Sequence, residues 1–195
     1  MSSSDALFAP GTPTYPCVAG VAVLDLTREL EEMVGSQYIA LARAALTHEQ
    51  RLELEEVTAV SWVRMSTSSA FIDAVGSVVG RDPEPLVDEA VRRATVRTFK
   101  TVWRMLLRLT TDDALVKRTP MIYARGRNIG QLDARLLSPG AAEMILTRWP
   151  DPPPRQMRLI AISTEVVLGL AGRRETRCEH ERKRDGARFA LYWRE

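Results

Sequence analysis

The hydrophobic pattern along the chain changes period twice. Residues 18–26 form a short apolar run that suits either a strand or the first turns of a helix, and periodicity does not separate the two at this length. Thr27 then predicts a helix N-cap with Glu31 and Glu32 in the first turns, and Gly35 predicts the stop. Tyr38, Leu41, Ala42, Ala45 and Leu46 recur at helical spacing, and Thr47 to Gln50 has the Thr-x-x-Gln form of a capping box. Residues 57–65 are β-branched and predict an extended stretch, and 66–79 predict a helix closed by Gly80. Asp82 followed by Pro83 is the clearest start signal in the chain. The helix it opens is expected to run to about Leu109, with Leu86, Ala90, Ala94, Val102, Trp103, Leu106 and Leu107 along its apolar stripe. Thr111 or Asp112 caps a further helix, which Pro120 is expected to kink or interrupt.

After Gly126 the helical period gives way to alternation. Residues 130–149 read as two strands around a Ser138-Pro139-Gly140 turn, followed by a stiff Pro150–Pro154 connector. Residues 156–171 return to helical spacing through Met157, Ile160, Val167 and Leu168, and stop at Gly172. The last segment predicts a second hairpin. Asp185-Gly186 is its turn, and Phe189, Leu191 and Trp193 line one face. The fold class expected is therefore α/β of the α+β type: N-terminal helices packed on an antiparallel sheet formed by two β-hairpins with a helix between them. Residues 1–16, rich in Ser, Pro and Gly, are expected to be a flexible arm, and 17–195 a single domain.

Composition narrows the function classes. At 195 residues, with 45% hydrophobic and 27% charged positions, usage is ordinary for a globular domain. The net charge of +2 leaves no strong field for nucleic acid, so nucleic-acid binding is not expected. Two distant cysteines, Cys17 and Cys178, make no disulfide framework. The N-terminus lacks a basic region followed by an apolar core, and no apolar run is long enough to span a bilayer. No membrane partner is expected, and the cytoplasm follows as the expected location.

The C-terminal half carries a helix ending Leu168-x-Leu170-Ala171-Gly172, a charged strand, Asp185-Gly186, and Phe189-x-Leu191-x-Trp193. This rhythm resembles the ligand-binding superfamily of 4-vinyl-reductase domains, heme nitric-oxide-binding domains and transport-particle (TRAPP) subunits. Val18-x-Gly20, the Ser61-Trp62 pair, the mid-chain helices and the closing hairpin also resemble a family expanded in myxobacteria, to which no biochemical activity is attached as a whole. The superfamily resemblance implies a pocket between helices and sheet, or a helical face used for pairing. Its zinc-binding members would place three cysteines where this chain has His180, Lys183 and Arg188, and cationic donors do not replace thiolates. Its heme-binding members need an axial His on a helix and a Tyr-x-Ser-x-Arg motif. That motif does not occur here, and His48 lies in the Thr47 capping segment.

Read residue by residue, the chain offers no catalytic set. Cys178 and His180 share a strand face, but two ligands do not close a metal site, and neither residue has a triad partner in view. Glu55-Glu56, Asp88-Glu89 and Asp112-Asp113 are neighbours in sequence and do not share a helix face. Gly126 to Gly130 precedes a strand and lacks a phosphate-loop spacing, so it reads as a connector. No metal, no cofactor and no enzymatic activity are expected. Two readings stay open. In the first, a non-enzymatic sensor or interaction module, the helix face bearing Arg93, Arg97, Lys100, Arg104 and Arg108 is the expected surface for a protein partner or a homodimer. In the second, the chain is a receptor for a small apolar ligand, in a pocket lined by Trp62, Phe71, Phe99, Trp103 and Met144.

Overall fold

A computed structural model describes residues 13–99 and 110–194. It opens with a short strand, β1 (Cys17–Ala19), that runs directly into helix α1 (Gly20–Val34). The ambiguous apolar run is therefore both elements at once. No side chain caps α1; its Gly20 N–H donates to the Ser61 carbonyl at 2.7 Å. Only a glycine fits here, because a Cβ would collide with the Thr58 carbonyl oxygen. Thr27 is thus in the middle of α1 and not its cap, and Glu31 and Glu32 fall in the last turn. Gly35, at φ 100°, ends the helix as expected.

Helix α2 (Ser36–Ala44) follows, and then α3 (His48–Glu55), whose Thr47 and Gln50 form the full reciprocal capping box. Only Trp62–Arg64 of the expected extended stretch is a strand, β2, paired antiparallel with β1. Glu53 of α3 then organises the start of α4 (Met65–Val79). Its carboxylate takes the Arg64 N–H at 2.8 Å and the Thr67 hydroxyl at 2.5 Å. Gly80 closes α4 in the left-handed region, and Asp82 caps α5 (Pro83–Thr98) through the Glu84 N–H. The expected continuation of α5 towards Leu109 lies mostly outside the described residues.

Thr111 caps α6 (Asp112–Gly126). Pro120 does not interrupt it: the helix continues for six more residues, although the ring removes the bond to the Val116 carbonyl. Strands β3 (Gln131–Ser138) and β4 (Ala141–Thr147) form the first hairpin. Helix α7 (Pro154–Leu170) and the second hairpin, β5 (Arg174–Lys183) with β6 (Gly186–Arg194), complete the described chain. The second turn is one residue earlier than expected. Lys183 pairs with Gly186, so the two loop residues are Arg184 and Asp185.

The sheet is antiparallel with order β3-β4-β6-β5, as the two-hairpin reading requires. Its inner face carries Leu132, Ala142, Met144, Leu146, Cys178, Ala187, Phe189, Leu191 and Trp193. Helix α7 lies on β5 and packs against α5, α5 meets α1, and α6 covers β3. On the outer face, Glu143 is buried under Arg135 and Arg188, with Nε to Oε distances of 2.8 and 2.6 Å. These two cations hold its carboxyl below the usual carboxylate range. At the other end of α7, Arg155 bridges Asp73 of α4 and Glu84 of α5, and Arg158 joins Glu84 and Asp88. The helical layers are thereby pinned around α7.

The expected arm over 1–16 lies outside the described residues as far as 12. From 13 onward the chain is stitched to the body: Asn128 Nδ2 donates to the Pro13 and Tyr15 carbonyls, both at 2.8 Å. No described helix is long and apolar enough to cross a membrane.

Candidate ligand cavity

Where α1, α5, α6 and α7 converge above the sheet, side-chain size falls. Ala22 on α1, Ala94 and Thr95 on α5, Thr119 and Gly126 on α6, and Ser163 and Thr164 on α7 all face one space. Small residues on four facing helices leave a gap that the surrounding leucines and isoleucines do not fill. The result is a cavity of about 270 Å³. Its walls are mostly aliphatic: Val23, Leu26, Ile72, Leu115, Ile160 and Leu168 contribute, and Leu132 and Leu191 of the sheet form the floor. Ala22 is exposed and Asp25 half-buried, which places the rim on α1.

Several polar groups on the wall are satisfied locally. Thr98 Oγ1 lies 3.0 Å from both Asp25 Oδ2 and the Ala94 carbonyl. Thr119 and Thr164 donate back to the Leu115 and Ile160 carbonyls one turn earlier. Tyr123 donates its phenol to the Ile129 carbonyl at 2.7 Å, and burial pushes its pKa up to about 12. Arg127 differs from these. Its backbone is fixed in extended geometry by a bridge to Val18 and a bond to the Tyr123 carbonyl, and its Cζ lies 5.8 Å from the Tyr123 ring centroid. Part of the residue meets solvent, but its Nε is buried with no hydrogen-bond partner.

Of the residues expected to line a pocket, Phe99 is on this wall. Phe71 and Met144 are each 1% exposed and belong to the packed core. Trp62, on β2, is not among the lining residues, and Trp103 lies outside the described residues. Of the expected interaction surface, Arg93 pairs with Glu89 of its own helix, and Arg97 bonds Glu29 and Glu32 of α1 at 2.5 and 2.8 Å. Lys100, Arg104 and Arg108 lie outside the described residues.

The donor set bears on which cofactors the cavity suits. The chain has two histidines. His48 is exposed on the first turn of α3, and His180 is exposed on β5 with its ring 6.0 Å from that of Phe189; neither lines the cavity. Cys178 is on the same strand face as His180 but buried, its N–H held by Glu165 at 3.0 Å and its thiol pushed up to about 12 by burial. Cys17 is likewise raised to about 11 by burial. Neither thiol is poised as a thiolate. Among the described residues, no group of three or more His, Cys, Asp or Glu stands ready for a metal ion.

No protein-family model matches the chain. No curated protein matches it either. Solved structures do. An Fe(II) unliganded H-NOX protein from K. algicida superposes with a TM-score of 0.68 at 10% identity, over 91% of this chain and 97% of that one. An oxygen-binding H-NOX domain related to soluble guanylate cyclases gives 0.62 at 12% identity, over 90% and 95%. A point mutant of the T. tengcongensis H-NOX gives 0.62 at 14% identity, over 90% and 97%. At these identities the likeness is one of fold: the chain is built as H-NOX domains are, helices over a four-stranded antiparallel sheet.

Proposed function

We propose that this chain is a non-enzymatic sensor domain that receives a small, largely apolar molecule in the α1–α5–α6–α7 cavity, and that it does so without heme. The cavity carries the reading. It is near the lower size limit of small-molecule sites, apolar on most of its wall, and bounded by four helices that occupancy would tie together.

One of the similar structures is an oxygen-binding domain, and another is described by its heme redox potential. The residues present here do not suit that group. Both histidines are elsewhere, and the Tyr123 hydroxyl is spent on Ile129 and held protonated by burial. A protein partner on the α5 arginines has less support, because Arg93 and Arg97 are already engaged by Glu89, Glu29 and Glu32.

The test is a titration of the purified full chain with 1-octanol as a neutral probe, beside a titration with hemin. One octanol bound per chain, with a rise in melting temperature, is the expected result. Ala94→Leu, which adds three carbons to the wall, is expected to weaken that binding roughly tenfold. Hemin is expected to give no stoichiometric complex. Octanol that fails to bind, or that binds Ala94→Leu equally well, would overturn the assignment to this cavity.

A further inference from the structure

Arg127 is the feature that a purely apolar receptor does not explain. Other arginines drawn into the helical layers are paired: Arg97 with Glu29, Arg155 with Glu84 and Asp73, Arg158 with Asp88, and Arg173 with Asp112. Among the described residues, Arg127 has no ion pair and no carboxylate acts on it. Burial works against its cation, and among the described residues Tyr123 is the group offsetting this. A guanidinium does not escape by losing its proton, so the cost stays with the folded chain. A guanidinium whose Nε is buried without a hydrogen-bond partner carries a cost that a paired acceptor would relieve. Arg43 on α2 also has an unpartnered Nε, but it is not on the cavity wall.

Its placement is fixed from both sides. Asn128, the next residue, accepts the Cys17 N–H at 2.6 Å and ties down the 13–15 segment, while Tyr123 and the Val18 bridge hold Arg127 itself. The side chain therefore reaches the cavity wall from a rigid backbone, and a guanidinium is the fork that recognises a carboxylate. Asp25, the other charged group on the wall among the described residues, is half-buried at the α1 rim beside Thr98.

We infer that the cavity's ligand is an amphipathic monocarboxylate, its carboxylate on Arg127 and its hydrocarbon chain among Leu26, Leu115, Ile160 and Leu168. This rests on the receptor reading and names the ligand class for that same site.

Octanoate and 1-octanol share a chain and differ at the head, so their affinity ratio isolates Arg127. At neutral pH the native full-length chain is expected to bind octanoate at least about tenfold more tightly than octanol. Arg127→Met keeps the apolar body of the side chain. It is expected to abolish that preference while retaining octanol, and Arg127→Lys is expected to keep part of it. In isotopically labelled native protein, octanoate is expected to shift the Arg127 Nε resonance and octanol to leave it in place, a readout that needs no variant to fold. Octanol binding with no preference for octanoate, or a ratio unchanged in Arg127→Met, would overturn the carboxylate assignment and leave the receptor reading standing. Failure of both probes to bind would overturn both.

Discussion

Replacing Gly186 by alanine is expected to destabilise the chain by about 3–6 kcal/mol and to lower its melting temperature by roughly 10 °C or more. Gly186 begins β6 at φ 146°, a conformation that side chains rarely adopt. Its α-carbon also lies against the neighbouring strand. A Cβ there would overlap the Leu146 carbonyl oxygen and carbon and press on Thr147 Cα, all backbone of β4. Backbone cannot swing aside as a side-chain tip can, so β6 must leave β4 at the point where Ala187 pairs with Leu146. Gly169 supplies the control. It sits exposed in the last turn of α7 with nothing near its missing Cβ, so Gly169→Ala is expected to be neutral or to stabilise by about 0.5–1 kcal/mol. Thermal melts of the two variants check both; a Gly186→Ala protein as stable as the Gly169→Ala one would contradict the close approach of β6 to β4.

The second large effect is expected at Arg173, just after α7. Its guanidinium bonds the Asp112 carboxylate through Nε and Nη2 at 2.8 and 2.6 Å, and the Thr110 and Ala171 carbonyls at 2.7 and 2.6 Å. Asp112 in turn accepts the Trp193 indole N–H at 3.1 Å. One ion pair thus joins the start of α6, the end of α7 and the last strand. Both side chains are largely buried, at 11% and 16% exposure, so solvent screening is weak. Arg173→Met leaves a carboxylate buried without its cation and is expected to cost about 3–5 kcal/mol. Adding Asp112→Asn removes the stranded charge but keeps an acceptor for Trp193, and is expected to recover about half of the loss. Denaturant midpoints of the single and double variants measure this. Equal losses in both would mean that the charge is not what holds the corner.

These sites show where sequence patterning carries structure and where it does not. The hairpins were legible because alternation and turn residues act over a few positions. Phe189, Leu191 and Trp193 do face the core, at 0%, 4% and 5% exposure. Caps built from neighbouring residues, at Thr47 and Asp82, were legible for the same reason. Thr27 misled because the true start of α1 has no side-chain cap: its N–H is satisfied by Ser61, forty-one positions away, which a local pattern does not contain. Strands β1 and β2, three residues each, are below any period. Of the large residues expected to line a pocket, Phe99 is on the wall, but large side chains also fill space: Phe71 and Met144 are core, and the gap opens where Ala94, Thr95, Ser163 and Thr164 are small. The available signal was a small residue at a core-facing position on several helices at once. Arg127 belongs to the Gly126–Gly130 connector, and only the fold brings it to the cavity wall.

A crystal of the full chain under xenon pressure tests the cavity most directly, because dry apolar space takes up xenon and packed space does not. Density for xenon between Leu26, Leu115, Ile160 and Leu168 is the predicted result. A core packed solid at that place, with xenon absent from it, would contradict the receptor.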